Sequence, residues 1–358
     1  MKDANVQNTV YIIGAGASKE AGLPTGYELK GKIIQALDIQ TDYIKQISGD
    51  EFIKKALHIH FGCPHDDDPG YIDGRILDVA WHIRDALPLA ISIDNFIDAH
   101  RDNDTIALCG KLAIIRIILE AEKKSPFYFE SANMDTNIQF LKLEKTWYNS
   151  FFQLLTENCE KNDLQERFKS ITLIIFNYDR CVEHFIYYAL QNYYRIPGNE
   201  AAELVKAINI YHPYGDVGSL PWQKWEPGSD KKLVMEFGNE PNPVQLLELS
   251  KKIKTFTEGT DPQSSKISEI RRHMGLADRV VFLGFAFHPM NMQIITPENV
   301  DNTKLLKAFA TTLGISDSDK GIISAQIKKS LSSITSVNMI NKTCFEFFGE
   351  YWRSLSFC

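Results

Sequence analysis

Short apolar runs alternate with helix-like patterns along most of the chain. Residues 9–13, 172–176, 208–211, 279–283 and 305–310 are mostly apolar and lie near Gly or Asn turns, as strands buried on both faces do. Helical patterns fall between them at 27–37, 180–194, 267–274 and 319–331. Strand–helix alternation of this kind predicts a parallel, doubly wound α/β sheet of Rossmann-like type. Residues 38–170 break the alternation. There IALCGKLAIIRIILEAE, residues 106–122, is apolar almost all round and predicts a buried helix, and residues 140–157 continue the helical pattern with Trp147, Phe151 and Phe152. The pattern therefore predicts a Rossmann-like domain made of 1–37 and 171–358, with a helical module, 38–170, inserted between its first two strands. Residues 221–243, rich in Pro, Gly and charge, predict a loop or small hairpin. The aromatic stretch FEFFGEYW, 345–352, predicts a packed terminal helix.

Composition narrows the class. With 358 residues, 44% hydrophobic and 24% charged, the chain can bury a large core, as a soluble enzyme does. A net charge of -7 gives no electrostatic reason to expect nucleic-acid binding. No apolar run is long enough for a bilayer, and the opening MKDANVQNTV does not read as a signal peptide. Six scattered cysteines with no C-x-x-C pair fit a reducing cytoplasm and argue against a four-cysteine zinc site. Cys63, His65 and Asp66–Asp68 crowd together but are adjacent in sequence, which suits an exposed acidic loop better than a metal site.

The first strand runs into Gly14-Ala15-Gly16-Ala17-Ser18 and then a helical pattern. A loop of this kind presents backbone N–H groups at a positive helix end, where a pyrophosphate can dock. The dinucleotide fingerprint G-x-G-x-x-G would need glycine at position 19, which is Lys19, and no Gly-Lys-Ser/Thr follows for a P-loop. The plain alternative is a tight turn with no ligand.

The longer string GAGASKEAGLPTG is more specific. It resembles the opening motif of the sirtuin superfamily, in which a Gly-Ala-Gly-x-Ser loop leads to a Gly-Leu/Ile-Pro corner. Four later segments resemble that family's motifs in the family's order: IIFNYDRCVE (174–183), IYHPYGDVGSL (210–220), VVFLGFAFHPMN (280–291) and KAFATTLGIS (307–316). Three departures separate the chain from protein-deacylating sirtuins: Thr25-Gly26-Tyr27 follows Pro24 in place of Asp-Phe-Arg, Phe176 stands where Gln precedes the Asn, and there is no zinc module. These departures resemble the sirtuin-like NAD hydrolases of bacterial antiphage defence.

That resemblance implies NAD as substrate and cleavage of its nicotinamide–ribose bond, with no metal. It implies Asn177 and His212 as catalytic residues. Asn177 would bond ribose hydroxyls or the attacking water, and His212, whose pKa range suits a general base, would act near neutral pH. Asp179 would orient the loop or meet nicotinamide. Read without the family, Asn177-Tyr178-Asp179 is a turn and helix cap. The cofactor-binding expectation covers Gly14, Ala15, Gly16, Ser18, Ala21, Gly22, Leu23, Pro24, Gly284, Phe285 and Thr311, with packing as the alternative for the last three. His288 is expected to line or pack under the pocket. Ser92-Ile93-Asp94-Asn95-Phe96 is similar to a stretch near the active site of the defence branch, with Asp94 near a helix cap. The implied partners are further copies of the chain or a separate HerA-type ATPase that controls activity. A deacylase and a noncatalytic NAD or ADP-ribose sensor remain the alternatives.

Overall fold

The structure, a computed structural model, describes residues 7–41, 46–62, 72–130, 137–223, 233–255, 258, 265–298, 306–331 and 334–357. Six strands form one all-parallel sheet: β1 (Thr9–Ile13), β2 (Ile171–Ile175), β3 (Asn209–Tyr211), β4 (Arg279–Leu283), β5 (Leu306–Thr311) and β6 (Ile334–Ile340). Their order across the sheet is β3-β2-β1-β4-β5-β6. Winding outward in both directions from β1 places crossover helices on both faces, the Rossmann-type arrangement that the alternation predicts. β1, β2 and β4 are fully buried, which is why they read as unbroken apolar runs. The sequence reading missed β6. As an edge strand of half-buried, mixed residues (ITSVNMI), it carries no continuous apolar signal.

Between β1 and β2 run α1 (Gly26–Leu37), α2 (Glu51–Phe61), α3 (Gly74–Ala86), α4 (Ile93–Ala99), α5 (Asp104–Lys124), α6 (Trp147–Thr156) and α7 (Leu164–Lys169). A two-stranded antiparallel pair, Gln40–Thr41 with Gln46–Ser48, also lies here and was not anticipated. α1 begins with a Thr25–Glu28 capping box in which each side chain bonds the other's backbone N–H. α5 is buried nearly all round, as its apolar composition requires. The expected helix over 140–157 is a 3-10 turn, Phe140–Leu143, followed by α6. After β2 come α8 (Cys181–Tyr194), α9 (Gly198–Lys206), α10 (Pro243–Ser250), α11 (Ser265–Leu276), α12 (Pro289–Ile295), α13 (Asp317–Ser330) and α14 (Cys344–Leu355). The helices before β2 share one continuous core with the sheet. Tyr11 of β1 meets Phe151 of α6 edge-on at 4.9 Å, and Trp147 stacks toward Phe348 of α14 at 6.3 Å. Among the described residues no helix is long and apolar enough to cross a membrane.

Candidate functional site

In a sheet of this order the strands change winding direction between β1 and β4, and ligands enter the crevice beyond the carboxyl ends there. The sequence motifs gather at that edge. Gly14–Ser18 follows β1, Asn177–Asp179 follows β2, His212 follows β3, Gly284 and Phe285 follow β4, and Thr311 ends β5.

The glycine loop is tighter than its sequence suggests. A single helical turn, Ala15–Ser18, passes into a 3-10 turn, Lys19–Ala21, and the chain then reverses at Gly22, whose φ is 82°. Gly14 N–H donates to the Leu283 carbonyl at 2.9 Å and Gly16 N–H to the Gly284 carbonyl at 3.0 Å. A Cβ on Gly14 would stand 2.5 Å from the Gly284 oxygen, and one on Gly284 would stand 2.0 Å from Ala17 N. These glycines let the backbones of two neighbouring strand ends nest against each other. That contact accounts for their identity whether or not a phosphate binds. Ala21, Leu23 and Pro24 are buried at the following corner, where Leu23 N–H bonds the Ser18 carbonyl at 3.1 Å. Trp147 indole N–H reaches the Ala17 carbonyl at 2.8 Å. Glu20 accepts from the backbone N–H groups of Trp147 (2.6 Å) and Phe345 (2.9 Å), so one carboxyl ties the loop to the starts of α6 and α14.

Ser18 and Asn177 meet. Asn177 Nδ2 donates to Ser18 Oγ at 2.8 Å and to the Asp179 carboxylate. Ser18 makes no side-chain cap to the short helix that follows. Asp179 also accepts from Cys181 N–H at 3.0 Å, two residues on, so it closes a side-chain turn just before α8; the N-cap of α8 is Arg180, which makes no side-chain cap. Burial pushes the Asp179 carboxyl up, while Ser18 and the Cys181 amide pull it back.

His212 sits against the same loop. Its Nδ1 lies 3.3 Å from the Asn177 carbonyl and its Nε2 lies 3.0 Å from Glu183 Oε1 on α8. Burial alone would lower its pKa, but Glu183, Asp216 and the Asn177 carbonyl outweigh burial and raise it to about 9. The ring is therefore a cation at neutral pH that donates from both nitrogens. It cannot accept a proton until the Glu183 contact is given up. Asp216 is itself paired with Lys252 at 2.6 Å and held below the usual carboxylate range, burial being outweighed by Lys252 and His212.

The loop is held from outside by the Ser92–Phe96 stretch, which the resemblance sets near the active site, and by Arg180 and Glu122, which the sequence reading did not assign. Tyr178 hydroxyl donates to Asp94 at the start of α4, while Ser92 Oγ caps that helix by accepting from Asn95 N–H at 3.1 Å. Arg180 is fully buried. It pairs with Glu122 of α5 and donates to the Gly218 carbonyl at 3.0 Å and the Met235 carbonyl at 2.5 Å. Glu122 also accepts from Gly238 N–H at 3.0 Å. Burial pushes the Glu122 carboxyl up against the pull of Arg180. The signal for Glu122 was present: a carboxylate inside an apolar helix needs a buried partner. Nothing local marked Arg180 or Glu183 as that kind of residue.

The remaining candidates divide. Thr311 hydroxyl accepts from Gly284 N–H at 2.8 Å, so it braces the β4 turn. Phe285 is buried among Phe176 (5.1 Å) and Phe287 (5.2 Å), and Phe287 adopts a positive φ of 55°. His288 precedes α12 and is partly buried. The Cys63–Asp68 cluster lies outside the described residues. Among the described residues no group of three His, Cys, Asp or Glu is disposed to hold a metal ion. A cavity of about 740 Å³ lies away from Asn177 and His212, beside α8 and lined in part by Tyr187, Trp222 and Phe237.

Fold and strand-end cluster define a Rossmann-type α/β protein with a polar site at its carboxyl edge. No family model matches the chain, and no curated protein matches it.

Proposed function

We propose that the carboxyl edge binds NAD and that the chain hydrolyses its nicotinamide–ribose bond. The observation that carries this reading is the side-chain contact of Asn177 with Ser18 and Asp179 at the carboxyl ends of β1 and β2, with His212 against the Asn177 main chain. Two segments 159 residues apart, both in motifs similar to those of sirtuin-like NAD hydrolases, meet where such folds take dinucleotides.

In the reaction the C1′–N bond breaks and its electron pair passes to the pyridinium nitrogen, which leaves as neutral nicotinamide. Water adds to C1′ and releases a proton, giving ADP-ribose. The sugar becomes cationic on the way, as in glycoside cleavage. Once His212 is released, the Glu183 carboxylate supplies the sign of charge that such a transition state needs. Asn177 directs its amide to the ribose or the water. His212 holds the Asn177 main chain at rest and becomes a base only when Glu183 releases it. A resting site in which the Asn177 amide and both His212 nitrogens are already engaged suits an enzyme kept silent until a trigger arrives. We assign that trigger to self-association or to a separate ATPase of the HerA type, and the role to NAD depletion in antiphage defence.

The same closed hydrogen bonding favours one rival, an NAD or ADP-ribose sensor without turnover. One incubation separates them. Purified protein, with and without a HerA-type ATPase, is mixed with NAD, and nicotinamide is followed by chromatography. Hydrolysis without any acyl peptide, reduced at least 100-fold by Asn177→Ala and by His212→Ala, supports the proposal. NAD binding with no nicotinamide under either condition supports the sensor. Release only when an acyl-lysine peptide is present would instead identify a deacylase.

A further inference from the structure

The two edges of the sheet differ. β3 is three residues long and offers little to a further strand. β6 runs for seven residues and, among the described residues, pairs with β5 on one side only. Its sequence, ITSVNMI, carries no charge and no proline, the devices by which natural edges repel another strand. The register slips once at its start, opposite Leu306 and Lys307 of β5, and is regular from Ser336 to Ile340. α13 lies beside this edge. It crosses from β5 to β6 and seats Ile323 and Ile327 on the core. Gly321, Ile322 and Ala325 are exposed on it, Ile322 to 65%. Small residues around one bare isoleucine let another helix approach closely. The charges of α13 are polarised, with Asp317 and Asp319 in its first turn and Lys328 and Lys329 in its last. Lys320 pairs with Asp317 at 2.8 Å, and the start keeps a negative sign. That polarity also complements the dipole of the helix itself, so alone it points to no partner.

A second copy of the chain supplies the matching surface. Two identical edge strands pair antiparallel about a two-fold axis, which would join two six-stranded sheets into one. Strands stand about 4.8 Å apart, so two α13 helices, each over its own β5–β6 groove, would lie about 10 Å apart across that axis, a helix packing distance. α13 and β6 are each roughly 20 Å long and run antiparallel to one another, so an axis through the middle of β6 also passes near the middle of α13. Ile322 of one copy then falls opposite Ala325 of the other, and the acidic start of each α13 meets the basic end of its mate. We propose that β6 and α13 form a self-association surface, through which two copies build a two-fold dimer with a continuous sheet. The surface is read from the fold and stands independently of the hydrolase reading.

The test is sedimentation velocity of the full-length chain from about 1 to 100 µM, with hydrogen exchange followed on a peptide covering 334–340. The expected result is a dimer that grows with concentration, together with slower exchange in β6. Ile322→Glu, at an exposed position that the folded monomer does not use, should weaken the dimer at least about tenfold and abolish the slowing. Ser336→Lys, which puts a charge on the edge, should do the same. Lys328→Glu with Lys329→Glu should weaken it too, and by less as salt rises. Far-ultraviolet circular dichroism matching the wild type shows that a variant is folded; if Ser336→Lys is not, Ile322→Glu carries the test. A monomer at every concentration, a dimer indifferent to the folded variants, or a dimer without slower exchange in β6 would overturn the proposal. Nicotinamide plays no part in these readouts, so failure here leaves the hydrolase reading untouched.

Discussion

At the scale of single residues, His212 makes a prediction about pH. Its folded pKa, about 9, lies above the 6.5 of an ordinary histidine, so protonation favours the folded state. The stabilisation is complete below pH 6.5 and is lost as pH rises through 9. Its ceiling is about 3 kcal/mol, the free-energy equivalent of that difference in proton affinity. Urea denaturation at pH 6 and pH 9.5 should show the wild type losing stability across this interval and His212→Gln losing much less. Identical losses in both proteins would remove the Glu183 pair as their cause. Glycines give a contrasting pair of residue-scale predictions. Gly284→Ala puts a methyl 2.0 Å from Ala17 N at a position whose φ is 54°, and should cost at least about 3 kcal/mol or prevent folding. Gly31→Ala lies inside α1 with nothing within 4 Å and should stabilise by about 1 kcal/mol. Thermal melts of the two variants measure both.

Between elements, the important contacts join the helices that precede β2 to the loop that follows it. Tyr178 is held by Asp94 of α4 and Arg180 by Glu122 of α5, so residues on either side of Asp179 are both anchored from the same helical region. Removing one partner of a buried pair strands the other charge. Glu122→Ala should therefore cost roughly 3–5 kcal/mol. The double change Glu122→Leu with Arg180→Met should recover most of that, because neither charge then remains buried. Recovery is read from the denaturation midpoints. A double variant no more stable than Glu122→Ala would mean that the backbone carbonyls bound by Arg180, not the ion pair, set the cost.

Viewed as a whole molecule, the helical stretch between β1 and β2 is contiguous in sequence but shares its core with the sheet. Trp147 is fully buried and bonds Ala17, and Phe151 meets Tyr11 of the central strand. A chain joining residues 1–37 directly to 171–358 should therefore be insoluble or lack fixed aromatic packing in the near-ultraviolet circular dichroism spectrum. A cooperative melt from such a deletion would show that the Rossmann-like part closes its own core.

How much was legible beforehand follows from where each signal is written. Strands buried on both faces carry their burial in their own composition, so β1, β2 and β4 were readable, while the edge strand β6 was not. The strand ends carrying Gly14, Asn177, His212 and Gly284 could be named because local pattern marks where a strand stops. Motif spacing could not say that Asn177 would bond Ser18, that Glu183 would charge the His212 ring, or that Gly14 and Gly16 answer to the backbone of Gly284. Those are contacts between segments 29 to 270 residues apart. Local patterning sets which stretches become strands and helices. Which side chains share a hydrogen bond or a proton depends on distances that exist only once the sheet has closed.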